Sequence, residues 1–205
     1  MFEETLIEGA KEKLILLGNS NILQDAYLAG GTALALQIGH RISVDFDFFS
    51  EKEFIPEVFS EELSKVGLFE VDQLDKGTVL GRFEGIKFSI FNYKYPLLFP
   101  ELKYLSVNIA DIREIAAMKI NAIADRGFKR DFIDLYFICK SGHKLSELLN
   151  IYDKKYGKLS SNLIHIKKSL VFFDDADPDE TPRLIKKINW EDIKKYFVEE
   201  VKNLR

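Results

Sequence analysis

The sequence contains almost no cysteine, since Cys139 is alone among 205 residues. A single cysteine excludes an intramolecular disulfide and suits a reducing compartment. No apolar run approaches the roughly 18 residues that a membrane-spanning helix needs. The first residues, 1–4, are acidic and lack the basic segment of a secretory signal. The sequence therefore predicts a cytoplasmic protein with no membrane segment.

A general excess of positive charge is also missing. The chain has 29 Lys and Arg residues against 33 Asp and Glu residues, a net charge of −4. It therefore lacks the overall basic character of a non-specific nucleic-acid binder, and any RNA contact needs a local patch. One candidate patch consists of Lys129, Arg130, Lys140 and Lys144.

Breaker residues divide the chain into two halves. Short helical and β-like segments extend to Phe91, and Pro96 and Pro100 interrupt the pattern. The remainder has helical periodicity, with an acidic segment, 174–180, that we interpret as a solvated connector. We predict an α+β fold: a mixed β-sheet core flanked by helices in residues 1–100, followed by a helical subdomain in residues 101–205.

The segment Ile42–Phe49 alternates apolar and polar residues, which predicts a strand. Asp45 and Asp47 then share one face, with Cα atoms about 6.6 Å apart. Two like charges so close favour a bound cation, and carboxylate oxygens suit Mg²⁺ or Mn²⁺. The pattern predicts that Ser43 joins the aspartates and that the opposite, core-facing side carries Ile42, Val44, Phe46 and Phe48.

A glycine turn lies shortly before this strand. Gly30 and Gly31 follow the apolar run Ala26–Ala29 and precede the helical segment Thr32–Ile38. Unpaired N–H groups, the helix dipole and the absence of a side chain make such a helix start a phosphate site. A tight turn with Thr32 as helix cap is the simpler alternative. A phosphate site and an acid pair within 18 residues favour the functional interpretation.

The combination Gly30-Gly31-Thr32, Arg41-x-Ser43 and Asp45-x-Asp47-Phe-Phe resembles the nucleotidyltransferase signature of the AbiEii/AbiGii toxin family, within the DNA polymerase β-like superfamily. The resemblance implies a nucleotidyltransferase-like sheet core and transfer of NMP from an NTP to a hydroxyl acceptor, with Mg²⁺ or Mn²⁺ as cofactor. It further implies a bacterial toxin with a cognate antitoxin, and RNA, particularly the tRNA 3′ end, as acceptor.

The helical half contains charges on apolar helix faces. Lys119 lies in the middle of an apolar stripe, with Arg126 beside it, and Asp131 lies on the apolar face of the next helix. Lys119 either extends its ammonium group to the surface or, unpaired, meets a phosphate in a cleft. Asp131 either caps its helix or pairs with Arg126 or Arg130.

These positions also resemble the family's second signature, a Lys followed by an Arg and then Arg-Asp-x-x-Asp-Leu. The resemblance implies that Asp45 and Asp47 hold metal, that Lys119 contacts nucleotide phosphate, and that Asp131 is a further essential acid. The nucleotide site would then comprise Gly30, Gly31, Thr32, Arg41, Ser43, Lys119 and Arg126, with Arg130 and Asp134 as additional candidates.

The third carboxylate of the superfamily is missing. The strand expected to carry it, Ile86–Phe91, has Lys87 and Ser89 at the relevant positions. Asp131 could replace it, or one well-held metal could suffice. The alternative is a catalytically degenerate protein that binds nucleotide or a protein partner. A haloacid-dehalogenase-type phosphatase is disfavoured, because Phe49 stands where that class needs a hydroxyl side chain.

Overall fold

The computed structural model describes residues 1–157 and 159–204. It divides into two compact units, one formed by residues 1–37 and 42–111 and the other by residues 38–41 and 112–205. The described residues form seven strands and eight α-helices. The α+β class with a mixed sheet is therefore confirmed.

The elements of the first unit are a 3-10 helix (Glu3–Thr5), α1 (Ala10–Asn19), β1 (Ala26–Leu28), α2 (Gly30–Ile38), β2 (Asp45–Ser50), α3 (Pro56–Val66), β3 (Phe69–Asp75), β4 (Thr78–Phe83), β5 (Ile86–Asn92), β6 (Leu102–Tyr104) and β7 (Val107–Ile109). The strands form one sheet with the order β3-β4-β5-β2-β1-β7-β6. Strand β2 is central, antiparallel to β1 and parallel to β5, and β1 is parallel to β7. The short strands β6 and β7 follow the proline breakers and were not indicated by the sequence pattern.

Strand β2 begins at Asp45, three residues later than predicted. Phe46 and Phe48 are buried in the core as expected, but Val44 is 52% exposed and Ser43 is buried. The alternation fails before Asp45 because Ser43 forms only an isolated bridge, in which its N–H donates to Thr5 O. The prediction that Val44 faces the core is therefore wrong, and Ile42 is only partly buried.

The second unit is helical in its described residues. Its core includes the ring of Phe132, which packs edge-on against Trp190 and Phe197 and tilted against Phe173. The helices are α4 (Ile112–Asp125), α5 (Lys129–Lys140), α6 (Leu145–Tyr156), α7 (Leu159–Ser169) and α8 (Trp190–Asn203). A buried ion pair between Lys155 and Glu114 joins α6 to α4.

The acidic segment 174–180 is anchored to the helices of this unit. The Trp190 ring N–H donates to the Asp177 carboxylate at 2.6 Å, and the backbone N–H of Lys129 donates to Asp179 Oδ2 at 3.0 Å. Most of its charged side chains face solvent, as expected for a solvated connector, while Asp177 and Asp179 attach the segment to the helices.

Within the described residues, every helix is too short or too polar to cross a lipid bilayer.

Candidate functional site

The two aspartates of β2 lie opposite a lysine and a serine of β5. The parallel register pairs Asp45 with Lys87 and Asp47 with Ser89, so the four side chains share one face of the sheet. Ser89 is only 4% exposed, and its hydroxyl donates to Asp47 Oδ1 at 2.5 Å. The register therefore places Lys87 and Ser89 beside the two aspartates, on the strand that was expected to carry the third acid.

The glycine turn packs directly against Asp47. Gly30 has a φ of +62°, and a Cβ atom built there would lie 2.8 Å from Asp47 Oδ2. The backbone N–H of Ala29 also donates to Asp47 O at 2.9 Å. Only glycine combines this backbone conformation with so close an approach. The start of α2 and the carboxylate are therefore held together.

We expect Gly30→Ala to impair the nucleotide transfer that the family resemblance implies, beyond its effect on stability. The left-handed conformation should cost about 1–2 kcal/mol of unfolding free energy, and displacement of Asp47 should lower kcat/KM about a hundredfold. Gly85→Ala is a matched control, because Gly85 has a φ of +80° but no heavy atom within 4 Å of its Cβ position. It should lose similar stability and keep its activity. Equal activity losses in the two variants, measured beside denaturant unfolding, would contradict this assignment.

Thr32 and Ser43 link the start of α2 to the aspartate strand. The Thr32 hydroxyl lies 2.9 Å from Ser43 Oγ and also contacts the carbonyl oxygen of Asp45. Thr32 is 1% exposed and Ser43 is 6% exposed. In this structure, both hydroxyl groups therefore fix the backbone that carries the acid pair.

The donor set around Asp45 and Asp47 is small for a metal site. Among residues 1–157 and 159–204, no three His, Cys, Asp or Glu side chains come together to hold a metal ion. Two carboxylates nevertheless fit Mg²⁺, which keeps several waters and is commonly bound by one or two carboxylates plus substrate phosphates. The residues therefore fit a metal that arrives with a nucleotide.

The second unit contains a buried charge cluster centred on Lys119. Its Nζ atom lies 2.9 Å from Asp131 Oδ1 and 2.6 Å from Asp134 Oδ2. Lys119 is 7% exposed, and both aspartates are fully buried. Burial alone would lower the pKa of Lys119, but the charges of Asp134 and Asp131 outweigh it and raise the pKa. Lys119 is therefore a permanent cation.

The expectation of an unpaired Lys119 is wrong, because the chain itself supplies two carboxylates. The expected pair between Arg126 and Asp131 is confirmed, with Nε 3.2 Å from Oδ2. Asp131 does not cap its helix, where the cap position is Phe128 without a side-chain hydrogen bond. Because the Arg126 side chain is 48% exposed, the cluster extends to the surface there.

Arg41 and His40 belong to the same unit and bind the same acid. Arg41 Nε lies 2.7 Å from Asp134 Oδ1 and Nη2 lies 3.0 Å from Oδ2, a bidentate arrangement. His40 Nε2 lies 2.7 Å from Asp134 Oδ1. Burial would raise the pKa of Asp134, but Arg41, Lys119 and the hydrogen bond from His40 hold it well below its usual range.

His40 is a member of the cluster that the sequence analysis missed. Its only sequence signal is its position directly before the Arg41-x-Ser43 motif. Burial lowers the pKa of His40, and the Asp134 carboxylate only partly opposes this effect. The ring is therefore neutral at pH 7 and donates from Nε2, because the ionised carboxylate of Asp134 can only accept. Within the described part of the chain, its Nδ1 atom has no hydrogen-bond partner.

The candidate residues thus form two groups, one in each unit. Lys129 does not belong to the predicted RNA patch, because it is only 6% exposed, whereas Arg130, Lys140 and Lys144 are exposed. Gly30, Gly31, Thr32, Ser43, Asp45 and Asp47 belong to the first unit, and Arg41, Lys119, Arg126, Asp131 and Asp134 belong to the second.

A sheet unit with an acid pair beside a glycine turn, followed by a helical unit, defines a nucleotidyltransferase-like architecture. The family model described as "Nucleotidyl transferase AbiEii toxin, Type IV TA system" matches residues 15–97 and 88–203. The chain therefore belongs to the AbiEii family of nucleotidyltransferase toxins. It is accordingly a transferase, and the family resemblance seen in its sequence motifs is confirmed.

One relative and two solved structures resemble this chain. An uncharacterized protein of Aquifex aeolicus, aq_aa25, is 43% identical over 198 residues, which cover 94% of this chain and 93% of the relative. Two solved structures share the fold. JHP933 from Helicobacter pylori has a TM-score of 0.58 and 19% identity, with 97% of this chain and 92% of that chain covered. MenT4, the nucleotidyltransferase toxin Rv2826c from Mycobacterium tuberculosis, has a TM-score of 0.56 and 15% identity, with 97% and 87% covered.

Proposed function

We propose that this nucleotidyltransferase toxin uses Mg²⁺ or Mn²⁺ to transfer NMP from an NTP to a hydroxyl group of RNA, with the tRNA 3′ end as the acceptor. The observation that carries the proposal is the position of Asp47. Its carboxylate is held between the Ser89 hydroxyl and the glycine turn that opens α2. A carboxylate that could hold a metal and a helix start suited to phosphate therefore lie side by side.

The first unit would bind the metal–nucleotide complex. Asp45 and Asp47 would hold the metal, which supplies charge stabilisation to the phosphoryl group during transfer. The N–H groups at Gly30 and Gly31 would bind phosphate oxygens at the positive end of the α2 dipole. In the reaction, the acceptor oxygen bonds to the α-phosphorus, the bond to the bridging oxygen breaks, and pyrophosphate leaves while the acceptor proton passes to solvent.

The second unit would contribute positive charge. Lys119, Arg41 and Arg126 provide three cations against the carboxylates of Asp131 and Asp134, so the cluster has a surplus of one positive charge when His40 is neutral. That surplus favours a phosphate-bearing ligand. Because Asp131 accepts from Lys119 through one oxygen and from Arg126 through the other, we assign it the role of orienting these two cations.

Each labelled NTP, incubated with total bacterial RNA and Mg²⁺ or Mn²⁺, tests this function. We expect label to move from one or more NTPs to the small-RNA fraction, and to be lost when EDTA removes the metal. The absence of transfer from all four NTPs, with a protein that is folded, would refute the proposal.

Membership of a toxin–antitoxin family also implies a cognate antitoxin. Co-expression of that antitoxin should relieve the growth arrest that the toxin causes.

A nucleotide-binding module without catalysis is the second candidate function. It is favoured by Ser89, which stands in register with Asp47 where the superfamily has a further acid. In that case the protein would bind an NTP with metal, measured by calorimetry, and would leave both the NTP and the RNA unchanged. Detectable transfer by the wild-type protein would exclude it.

We expect Ser89→Ala to weaken binding of the metal–nucleotide complex about 10- to 100-fold, because partners that orient metal ligands contribute this much. Ser50→Ala is the matched control. Ser50 is also 4% exposed, and its hydroxyl bonds to Lys52. Calorimetric titration of Mn²⁺ with a non-hydrolysable NTP measures the affinity. Equal affinities in the two variants would show that Ser89 does not position Asp47.

A further inference from the structure

A pocket of about 250 Å³ opens at the amino-terminal end of α5. Its lining residues are Phe128, Arg130, Asp179 and Glu180. Phe128 is 37% exposed, although aromatic rings of this size are usually covered. None of these residues has a part in the proposed transfer, and Arg130 is only an additional candidate from the sequence signature. The pocket therefore needs an explanation of its own.

The exposed ring of Phe128 has two guanidinium groups close to it. Arg126 Cζ lies 5.0 Å from the ring centroid and Arg130 Cζ lies 5.6 Å from it. An aromatic ring beside arginines is the composition that binds single-stranded nucleic acid, because bases stack on the ring or on a guanidinium plane and phosphates meet the charge. Arg126 also forms an ion pair with Asp131, so the guanidinium group nearest the ring is already held in place.

The acidic segment that contributes Asp179 and Glu180 to the pocket is held in place by a buried lysine. Lys129 Nζ donates to the carbonyl oxygens of Asp177 and Asp179, and its backbone N–H donates to Asp179 Oδ2 at 3.0 Å. Lys129 is 6% exposed, so these bonds are shielded from water. The acidic segment is thereby fixed beside Phe128, and a ligand would not have to order it.

Two opposite charges in the pocket are not paired with each other. Within the described residues, neither the Arg130 side chain nor the Glu180 side chain forms an ion pair or a hydrogen bond, although both line the same space. A ligand with both an anionic group and an O–H or N–H donor would satisfy both. The volume, about 250 Å³, is below the roughly 300–1,000 Å³ of most small-molecule sites, so the pocket suits part of a longer ligand.

We propose that this pocket holds one unpaired nucleotide of the RNA acceptor. Its base stacks against Phe128, its phosphate meets Arg130, and a ribose hydroxyl or base amino group donates to Glu180. This inference rests on the proposed function, because it takes RNA as the acceptor. Stacking explains how a chain with a net charge of −4 could retain RNA without a broad basic surface.

Fluorescence anisotropy with a short, labelled, single-stranded RNA, without NTP or metal, tests the proposal. We expect Phe128→Ala to weaken binding about 5- to 100-fold, the usual effect of removing one stacked base contact, and Phe128→Trp to retain it. A hairpin of the same composition should bind more weakly than the single strand. Phe172→Ala is a matched control, because Phe172 is 51% exposed and lies outside the pocket.

The outcomes separate this inference from the proposed function when NTP transfer is measured on the same preparations. Wild-type transfer together with unchanged RNA affinity in Phe128→Ala overturns the pocket alone. RNA binding that depends on Phe128 without any transfer supports the pocket and overturns the proposed function. A protein that neither binds RNA nor transfers nucleotide overturns both. Equal affinity for hairpin and single strand overturns stacking as the mode of binding.

Discussion

The Asp47→Asn variant is expected to lose nucleotide transfer while it remains folded. Asparagine has the shape of aspartate and keeps an oxygen that can accept the hydrogen bond from Ser89. It lacks the charge that a divalent cation requires, and loss of several kcal/mol of metal stabilisation corresponds to a rate about a thousandfold lower. Transfer of labelled NTP and thermal unfolding, measured on one preparation, report activity and fold.

A second acid of the sheet provides the control for Asp47. Asp72 is exposed on β3, and Asp72→Asn should transfer at the wild-type rate. Binding of Mn²⁺ with a non-hydrolysable NTP should weaken only in Asp47→Asn. Wild-type transfer or unchanged Mn²⁺ affinity in Asp47→Asn would remove Asp47 from the metal site.

The Lys119→Ala variant should lose both stability and transfer. Removal of the ammonium group leaves Asp131 with Arg126 alone and takes one cation from Asp134, in a fully buried site. Removing one partner of a buried ion pair typically costs about 3–5 kcal/mol of unfolding free energy. If Lys119 also contacts the nucleotide phosphate, nucleotide transfer per folded molecule should fall as well. Denaturant unfolding and transfer at low denaturant concentration measure the two effects.

The ion pair between Lys155 and Glu114 provides a matched control in the same unit. Their charged atoms are 2.8 Å apart, and both side chains are fully buried. Lys155→Ala should therefore destabilise the protein by a similar amount and keep its transfer per folded molecule. A Lys119→Ala variant that unfolds like the wild type would contradict the structural role. Equal transfer per folded molecule in both variants would contradict the phosphate role.

Local patterns in the sequence were sufficient to predict the fold class and to bring together most candidate residues of the first unit. The glycine turn, Thr32 and the aspartates lie within 18 residues, and their spacing along one strand and one helix start places them together. The same local reasoning failed before Asp45. Periodicity assumes a continuous ladder, whereas Ser43 forms only an isolated bridge and turns inward to Thr32.

Contacts between residues on different elements decided how the charged residues of the second unit are paired. Lys119 appeared unpaired because its partners Asp131 and Asp134 lie on the next helix, and His40 was missed because Asp134 is 94 positions away. Lys129 appeared to be a surface cation, yet the carbonyl oxygens of the acidic segment, 48 and 50 positions away, take up its ammonium group.

The sequence by itself determined the fold class, the family and the candidate charged residues. Backbone periodicity, turn chemistry and spacing act over a few residues, and they can be read without knowledge of the partners. Only the tertiary structure decided which charges are neutralised, which hydroxyl orients Asp47 and which aromatic ring stays exposed. A buried charge must be paired, and the pairing depends on which side chains the fold brings within hydrogen-bonding distance.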